Sequence, residues 1–248
     1  MIKKLKEFLQ NMSNRLNFIY EKIDYGYFGI LSMVSGVSTI LICSFLFYSI
    51  EPFTILSHWV SNLGGITTNS GEFSNFSNVV FSIGLFVTAL FSTLFILGLI
   101  KDLLSSSLKI NSLLSIGFIF SLLCLGGIIG VALFDLKGSP FIHAFTAMFF
   151  FLGSSFMVFF FNLALIFDER WPYGIGIITI LVPFSALVFS LSFIPHLLQG
   201  KGIVELILST GPEFAFSRVW EWTYIMGLFV WFFVLGTIHI LLIKNSKL

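Results

Sequence analysis

FSNFSNVVFSIGLFVTALFSTLFILGLI, residues 73–100, contains no Asp, Glu, Lys or Arg and is long enough to cross a membrane as one helix. An α-helix rises 1.5 Å per residue, so about 20 residues cover the roughly 30 Å of hydrocarbon in a bilayer. Five other uncharged runs reach that length, at residues 25–50, 110–134, 138–167, 171–200 and 222–243. None has the period-two alternation of a barrel strand, so all six are predicted to be transmembrane helices.

The composition excludes two classes of protein. The 248 residues are 57% hydrophobic and 10% charged, with a mean hydropathy of +1.01. An ordinary soluble domain has roughly 25% charged residues, and a water-soluble fold of this size could not hide so much apolar surface. The net charge of +1 also argues against a nucleic-acid-binding protein, which needs a basic face to contact phosphates.

The distribution of Lys and Arg predicts the orientation. With the N-terminus inside, the inner segments carry ten of these residues and the outer segments carry three, Lys137, Lys201 and Arg218. This positive-inside bias predicts an all-α polytopic membrane protein with six transmembrane helices and with both termini in the cytoplasm.

The predicted organisation has three parts. Residues 1–24 place apolar side chains at spacings of three and four beside basic residues, which is typical of an amphipathic helix on the inner membrane surface. Residues 25–243 form the transmembrane domain, and residues 244–248 form a cytoplasmic tail. The six helices are predicted at about 27–50, 77–100, 111–134, 141–167, 173–195 and 219–243. Two small-residue pairs, Ser32 with Gly36 and Gly126 with Gly130, are interpreted as helix-packing positions.

Polar residues collect at the predicted outer ends of the helices, where two connections are long, about residues 51–72 and 196–217. Long loops on a helical scaffold often carry binding sites, and ionisable residues just inside a membrane are costly unless they are paired or functional. We therefore predict an outer polar binding site formed by His58, Asn62, Asn78, Asp135, His143, Arg218 and Glu221.

Three interpretations of this cluster stay open. The charged residues can form interfacial ion pairs beside an aromatic belt of Trp220 and Trp222. They can instead form an outward-facing pocket for a lipid headgroup, with Arg218 and the histidines facing phosphate or carboxylate.

The third interpretation is a zinc hydrolase in which His58, Asp135, His143 and His196 are the ligands. Integral-membrane hydrolases of the ceramidase and adiponectin-receptor kind combine Ser, Asp and three His in a similar way. The chain lacks the paired histidines, four residues apart, that such enzymes carry on their last helix. We predict no cofactor.

Three stretches together resemble a known family. They are SHWVSNLG at residues 57–64, FSN at residues 76–78, and GVALFD at residues 130–135 followed by His143 and Ala144. Over nearly the whole chain they resemble the six-helix membrane family catalogued as domain of unknown function 998. The related FRAG/DRAM/SFK group looks similar in the same loop and in the Glu221-Trp222 pair.

The resemblance implies a membrane protein of a family without an established general activity, with lipid handling as its theme. The chain departs from the family pattern at Asn62, where an acidic residue is usual, and at Asp135, where Pro is common. Because of these departures, an acid-dependent role in the family does not carry over directly to this chain.

The sequence therefore predicts a multi-pass protein of the cell membrane that interacts with membrane lipids through the outer polar site. It favours a non-enzymatic role and leaves an enzyme open. A membrane-embedded metal-dependent hydrolase or lipid-remodelling enzyme is one alternative, and a small-solute transporter is the other. No nucleic acid is expected as a partner, and the sequence does not identify a protein partner.

Overall fold

The computed structural model of the chain describes residues 7, 11, 15–104, 107–172, 174–175, 180–200, 202, 205, 208 and 211–245. The described residues form an all-helical structure without strands. Its main helices are α1, Tyr25–Tyr48; α2, Asn75–Leu103; α3, Leu108–Leu133; α4, Pro140–Ile166; α5, Leu181–Leu191; and α6, Ala215–Asn245.

Within the described ranges, five helices, α1 to α4 and α6, are long and apolar enough to cross a membrane. Their most apolar windows have mean hydropathies between 2.1 and 2.5. This is the architecture of a multi-pass integral membrane protein. Local signals mark where helices begin: the Asp24 carboxylate accepts a hydrogen bond from the Gly26 N–H (2.8 Å), and Pro140 opens α4.

The sixth predicted span falls partly on residues that the structure does not describe. Of the predicted helix 173–195, the described part contains α5, followed after a break by one further turn, Ile194–Leu198. Half of the predicted amphipathic helix at 1–24 also lies outside the described residues, and its described end contains the short helix Asn17–Tyr20. The count of six spans, the three-part organisation and the orientation of the termini therefore stay predictions.

The six helices form a ring in chain order. Each main helix contacts the next one along the chain, and α6 returns to contact α1. We call the end of the ring that carries the 51–74 loop the loop end, and the end where α1 begins and α6 finishes the terminal end. At the terminal end α1 and α6 cross at Gly26 and Gly236, where a Cβ on either glycine would lie 2.4–2.5 Å from the carbonyl oxygen of the other.

Aromatic side chains fill the middle of the ring toward the terminal end. The Phe95 ring lies 6.1 Å from the Trp231 ring, 5.6 Å from the Phe232 ring and 5.9 Å from the Tyr25 ring, measured between centroids. The Trp231 indole N–H donates a hydrogen bond to the Asn162 side-chain oxygen at 2.9 Å. This packed layer joins α1, α2, α4 and α6.

Glycines set the close approach of α3 and α4. A Cβ on Gly127 would lie 2.2 Å from the backbone nitrogen of Phe150, and a Cβ on Gly130 would lie 2.3 Å from the Thr146 side chain. Gly126 has open space beside it. The residues packed against α4 are therefore Gly127 and Gly130, because consecutive helical residues point about 100° apart. The interpretation of Gly126 as a packing position does not hold for this helix pair.

Candidate functional site

The 51–74 loop is folded over the loop end of the ring. Its 3-10 helix, Val60–Gly64, begins where the Trp59 N–H donates to the Asn62 side-chain oxygen at 2.7 Å. The Asn78 amide of α2 donates to the Gly64 carbonyl oxygen at 2.6 Å. Asn62 and Asn78 thus satisfy the backbone of this loop, which needs partners because its residues 58–60 and 62–65 are buried.

Asp135 ties the same loop to the end of α3. One of its carboxylate oxygens accepts from the N–H groups of Ile66 (3.2 Å) and Lys137 (3.1 Å), and the other accepts from the Gly138 N–H (2.6 Å). The Lys137 ammonium in turn donates to the Thr68 carbonyl oxygen. The turn between α3 and α4 is therefore fastened to the loop at two places.

The first turns of α6 hold the loop from the other side. The Arg218 guanidinium, which is fully buried, donates to the carbonyl oxygens of Leu56 (2.7 Å) and Gly211 (3.0 Å). One Glu221 carboxylate oxygen, Oε2, accepts from the Val60 N–H at 3.0 Å. The Trp222 indole N–H donates to the carbonyl oxygen of His58 at 3.0 Å. Residues 218, 221 and 222 share one helix face, so α6 presents all three to the loop.

His58 lies between a carboxylate and a hydroxyl. Its Nε2 is 3.2 Å from Glu51 Oε1 and its Nδ1 is 2.7 Å from the Ser57 hydroxyl. The sequence of carboxylate, imidazole and hydroxyl resembles the catalytic triad of a hydrolase. However, the backbone N–H groups of Ser57 and His58 both donate hydrogen bonds to Thr54. Since these N–H groups are occupied, they cannot stabilise an oxyanion. Neither Ser57 nor His58 lines the central cavity described below.

The loop carries two groups with shifted pKa values. Burial opposes ionisation of Glu51, but hydrogen bonds from the Ser70 N–H (2.8 Å) and from His58 outweigh it and hold the pKa of this carboxyl below its ordinary value. Burial lowers the pKa of Lys137, against the attraction of Glu51 and Asp135. An ionised Glu51 therefore fastens two parts of the loop, at His58 and at Ser70.

His143, one turn into α4, keeps one ring nitrogen for other contacts. Its Nδ1 lies 2.7 Å from the carbonyl oxygen of Phe134. A carbonyl only accepts hydrogen bonds, so Nδ1 carries the hydrogen and Nε2 of the neutral ring is an acceptor. Among the described residues the structure gives Nε2 no hydrogen-bond partner, although the side chain is buried.

A cavity of about 750 Å³ occupies the centre of the ring beneath the 51–74 loop. All six main helices line it, together with residues 59–61 of the loop. The lining is mainly aliphatic and aromatic and includes a few hydroxyl groups, such as those of Thr88 and Ser92. His143 and Glu221 are its two ionisable residues near the loop end.

The seven predicted site residues thus separate into two groups. All of them lie at the loop end, but only His143 and Glu221 line the cavity within the described part of the chain. The other five contact the loop or the turn after α3, and they are His58, Asn62, Asn78, Asp135 and Arg218. Glu221 belongs to both groups, because Oε2 binds Val60 while no described residue forms a hydrogen bond with Oε1.

The four candidate zinc ligands do not form a cluster. Within the described ranges, no three His, Cys, Asp or Glu side chains are placed to hold a metal ion together. His196 lies apart, with its ring 4.2 Å from the Phe214 ring.

The sequence interpretation missed a second polar cluster, at the terminal end. The Tyr25 hydroxyl lies 2.7 Å from Nδ1 of His239, and Nε2 of His239 lies 3.2 Å from the Asp24 carboxylate. Arg170 joins Asp102 (3.5 Å) and Asp168 (2.6 Å). His239 is therefore part of the contact between α1 and α6.

No family model matches the chain, and no curated protein or solved structure matches it either. The resemblance to domain of unknown function 998 and to the FRAG/DRAM/SFK group therefore stays a prediction.

Proposed function

We propose that this multi-pass membrane protein binds a membrane amphiphile, with the apolar chain in the central cavity and the headgroup at Glu221 and His143. The observation that carries the proposal is one cavity whose apolar lining ends at Glu221 and His143, two buried residues that each keep one acceptor atom without a hydrogen-bond partner among the described residues. A ligand that donates hydrogen bonds to these acceptors in apolar surroundings would be stabilised there.

The size and lining of the cavity fit an apolar chain. Small-molecule sites commonly have volumes of about 300–1,000 Å³ and few polar groups, and the observed 750 Å³ lies within that range. Glu221 and Phe232 both line the cavity and are separated on α6 by roughly 16 Å, at 1.5 Å per residue. An extended chain anchored at Glu221 would therefore reach past the middle of the ring.

The polar end favours a headgroup that donates hydrogen bonds. Glu221 Oε1 can only accept when it is ionised, and neutral His143 offers Nε2 as an acceptor. An ammonium or a hydroxyl group supplies the matching donors. A phosphate or carboxylate headgroup is less well matched, because Arg218, the cation expected to receive it, points its guanidinium nitrogens at Leu56 and Gly211.

Native mass spectrometry tests the proposal with a cavity-filling variant. Ala89 lines the cavity, whereas its neighbour Leu90 is exposed on the outside of α2 and does not line it. Protein reconstituted with deuterated octadecylamine should retain the amine in the wild type and in Leu90→Trp, and lose it in Ala89→Trp. Equal retention by the two variants would place the amine outside the cavity and refute the proposal.

A further inference from the structure

We infer that the amphiphile enters the cavity sideways from the bilayer, between α4 and α5. This inference rests on the proposed function and names its ligand class more closely, because a sideways opening admits molecules dissolved in the membrane. It is carried by residues that line the cavity and are also exposed on the outside of the chain.

Residues on one face of α4 both line the cavity and are exposed on the outside of the chain. Phe141, Phe145, Met148 and Leu152 all line the cavity, and they are 72%, 47%, 41% and 45% exposed. Their spacings of four, three and four residues place them in one stripe along the helix. A side chain of a closed chamber would be buried, so this stripe forms an edge of an opening.

The facing edge is on α5 and the turn that follows it. Ser190 lines the cavity and is exposed, while its neighbour Leu191 is exposed without lining the cavity. The opening therefore lies between two helices that are neighbours in the ring.

The 51–74 loop closes the part of the cavity that it covers. Trp59 and Val60 line the cavity from the loop side and are buried, and the Trp59 ring stacks on the Phe193 ring at 5.9 Å between centroids. The loop is held by the contacts of α2, α3 and α6 described above. An apolar chain can pass an apolar slot from the bilayer, whereas a hydrated ion or sugar would have to lose its water there.

Two other exposed residues also line the cavity. They are Leu122 of α3, which is 51% exposed, and Gly202, which follows α5 in the chain. Leu122 lies on a different helix from the α4 stripe and marks the competing entrance.

The exchange rate of a preloaded ligand tests the entrance. Full-length protein loaded with deuterated octadecylamine is mixed with an excess of phosphatidylcholine vesicles containing the unlabelled amine, and the bound fraction is followed by mass spectrometry. We expect Ser190→Trp to slow exchange about tenfold, because an indole in the slot raises the barrier to passage. Leu191→Trp, the matched control, should exchange as fast as the wild type.

The outcomes are distinct. Exchange of Ser190→Trp at the wild-type rate, or slowing by Leu122→Trp alone, overturns the entrance between α4 and α5. If the wild type and Leu191→Trp retain no labelled amine before mixing, the proposed function itself fails. Equal amounts bound at equilibrium in Ser190→Trp and the wild type, with different rates, support the inference, because a folding defect would lower the amount bound.

Discussion

At the level of single residues, the two carboxylate oxygens of Glu221 differ in their hydrogen bonds. Oε2 accepts from the Val60 N–H, and Oε1 has no hydrogen-bond partner among the described residues, in a side chain that lines the cavity. Glu221→Gln can keep the first contact through its carbonyl oxygen while it places an NH₂ donor toward the ligand. We expect octadecylamine to bind about tenfold more weakly, the range of one lost charged hydrogen bond, with an unchanged unfolding temperature.

Glu72→Gln is the matched control for this substitution. Glu72 belongs to the 51–74 loop, is exposed and does not line the cavity. Equal amine binding by the two variants, measured by titration in nanodiscs, would remove Glu221 from the proposed headgroup site.

We expect Arg218 to stabilise the fold and to make no contact with the ligand. Arg218→Met removes the donors to the carbonyl oxygens of Leu56 and Gly211 inside a buried layer. Leaving such acceptors unsatisfied costs about 1–3 kcal/mol each, so the unfolding temperature in detergent should fall. Lys22→Met, which changes an exposed cation, should stay within about 0.5 kcal/mol of the wild type.

A different result would contradict the structural role of Arg218. If Arg218→Met unfolds at the wild-type temperature and loses bound amphiphile, Arg218 contacts the headgroup, as the sequence interpretation expected.

At the scale of elements, the 51–74 loop depends on pH through Glu51. The pKa of Glu51 is lowered in the fold, so its stabilising contribution is complete above the ordinary carboxyl pKa and is lost as the pH falls through the lowered value. Hydrogen–deuterium exchange, corrected for its intrinsic pH dependence, should show progressive loss of loop protection as the pH falls below the ordinary pKa of a carboxyl group. Glu51→Gln should weaken this dependence, and an identical pH profile in both proteins would exclude the Glu51 anchor.

The packing of α3 on α4 predicts opposite effects for two neighbouring glycines. Gly127→Ala places a Cβ against the backbone of Phe150, so the two helices must separate. Overpacking of this kind typically costs about 1–3 kcal/mol. Gly126→Ala adds a Cβ in open space and should be neutral or favour the helix, since Gly is about 1 kcal/mol worse than Ala in helices. Comparable unfolding temperatures for the two variants would contradict this packing.

Five of the long helices were predictable because long uncharged runs allow few alternatives in lipid. The conformation of the 51–74 loop was not, because its structure depends on side chains from distant helices. Asn78, Asp135 and Arg218 each bind a backbone group of this loop, and no spacing in the sequence marks such contacts. The face of α3 that packs on α4 was also unpredictable, since adjacent glycines look alike in a run of small and apolar residues.

At the scale of the whole molecule, the sequence predicted that polar residues would gather at one end of the bundle, and the seven candidates lie there. It could not predict which of them line a cavity, because a polar residue that binds loop backbone has the same sequence signature as one that binds a ligand. The cavity itself could not be predicted from the sequence either. Its lining residues, such as Phe81 and Leu228, have the same apolar character as residues packed in a solid core.

The proposed function requires an apolar chain to lie inside the ring with its headgroup at the loop end. Octadecylamine carrying a diazirine at the far end of its chain tests this directly, because light-induced adducts mark the residues beside that end. We predict adducts on Met157 and Phe232, which line the cavity far from the loop end, and their loss when unlabelled amine competes. Adducts confined to outward-facing positions such as Leu90 and Phe233 would contradict the claim.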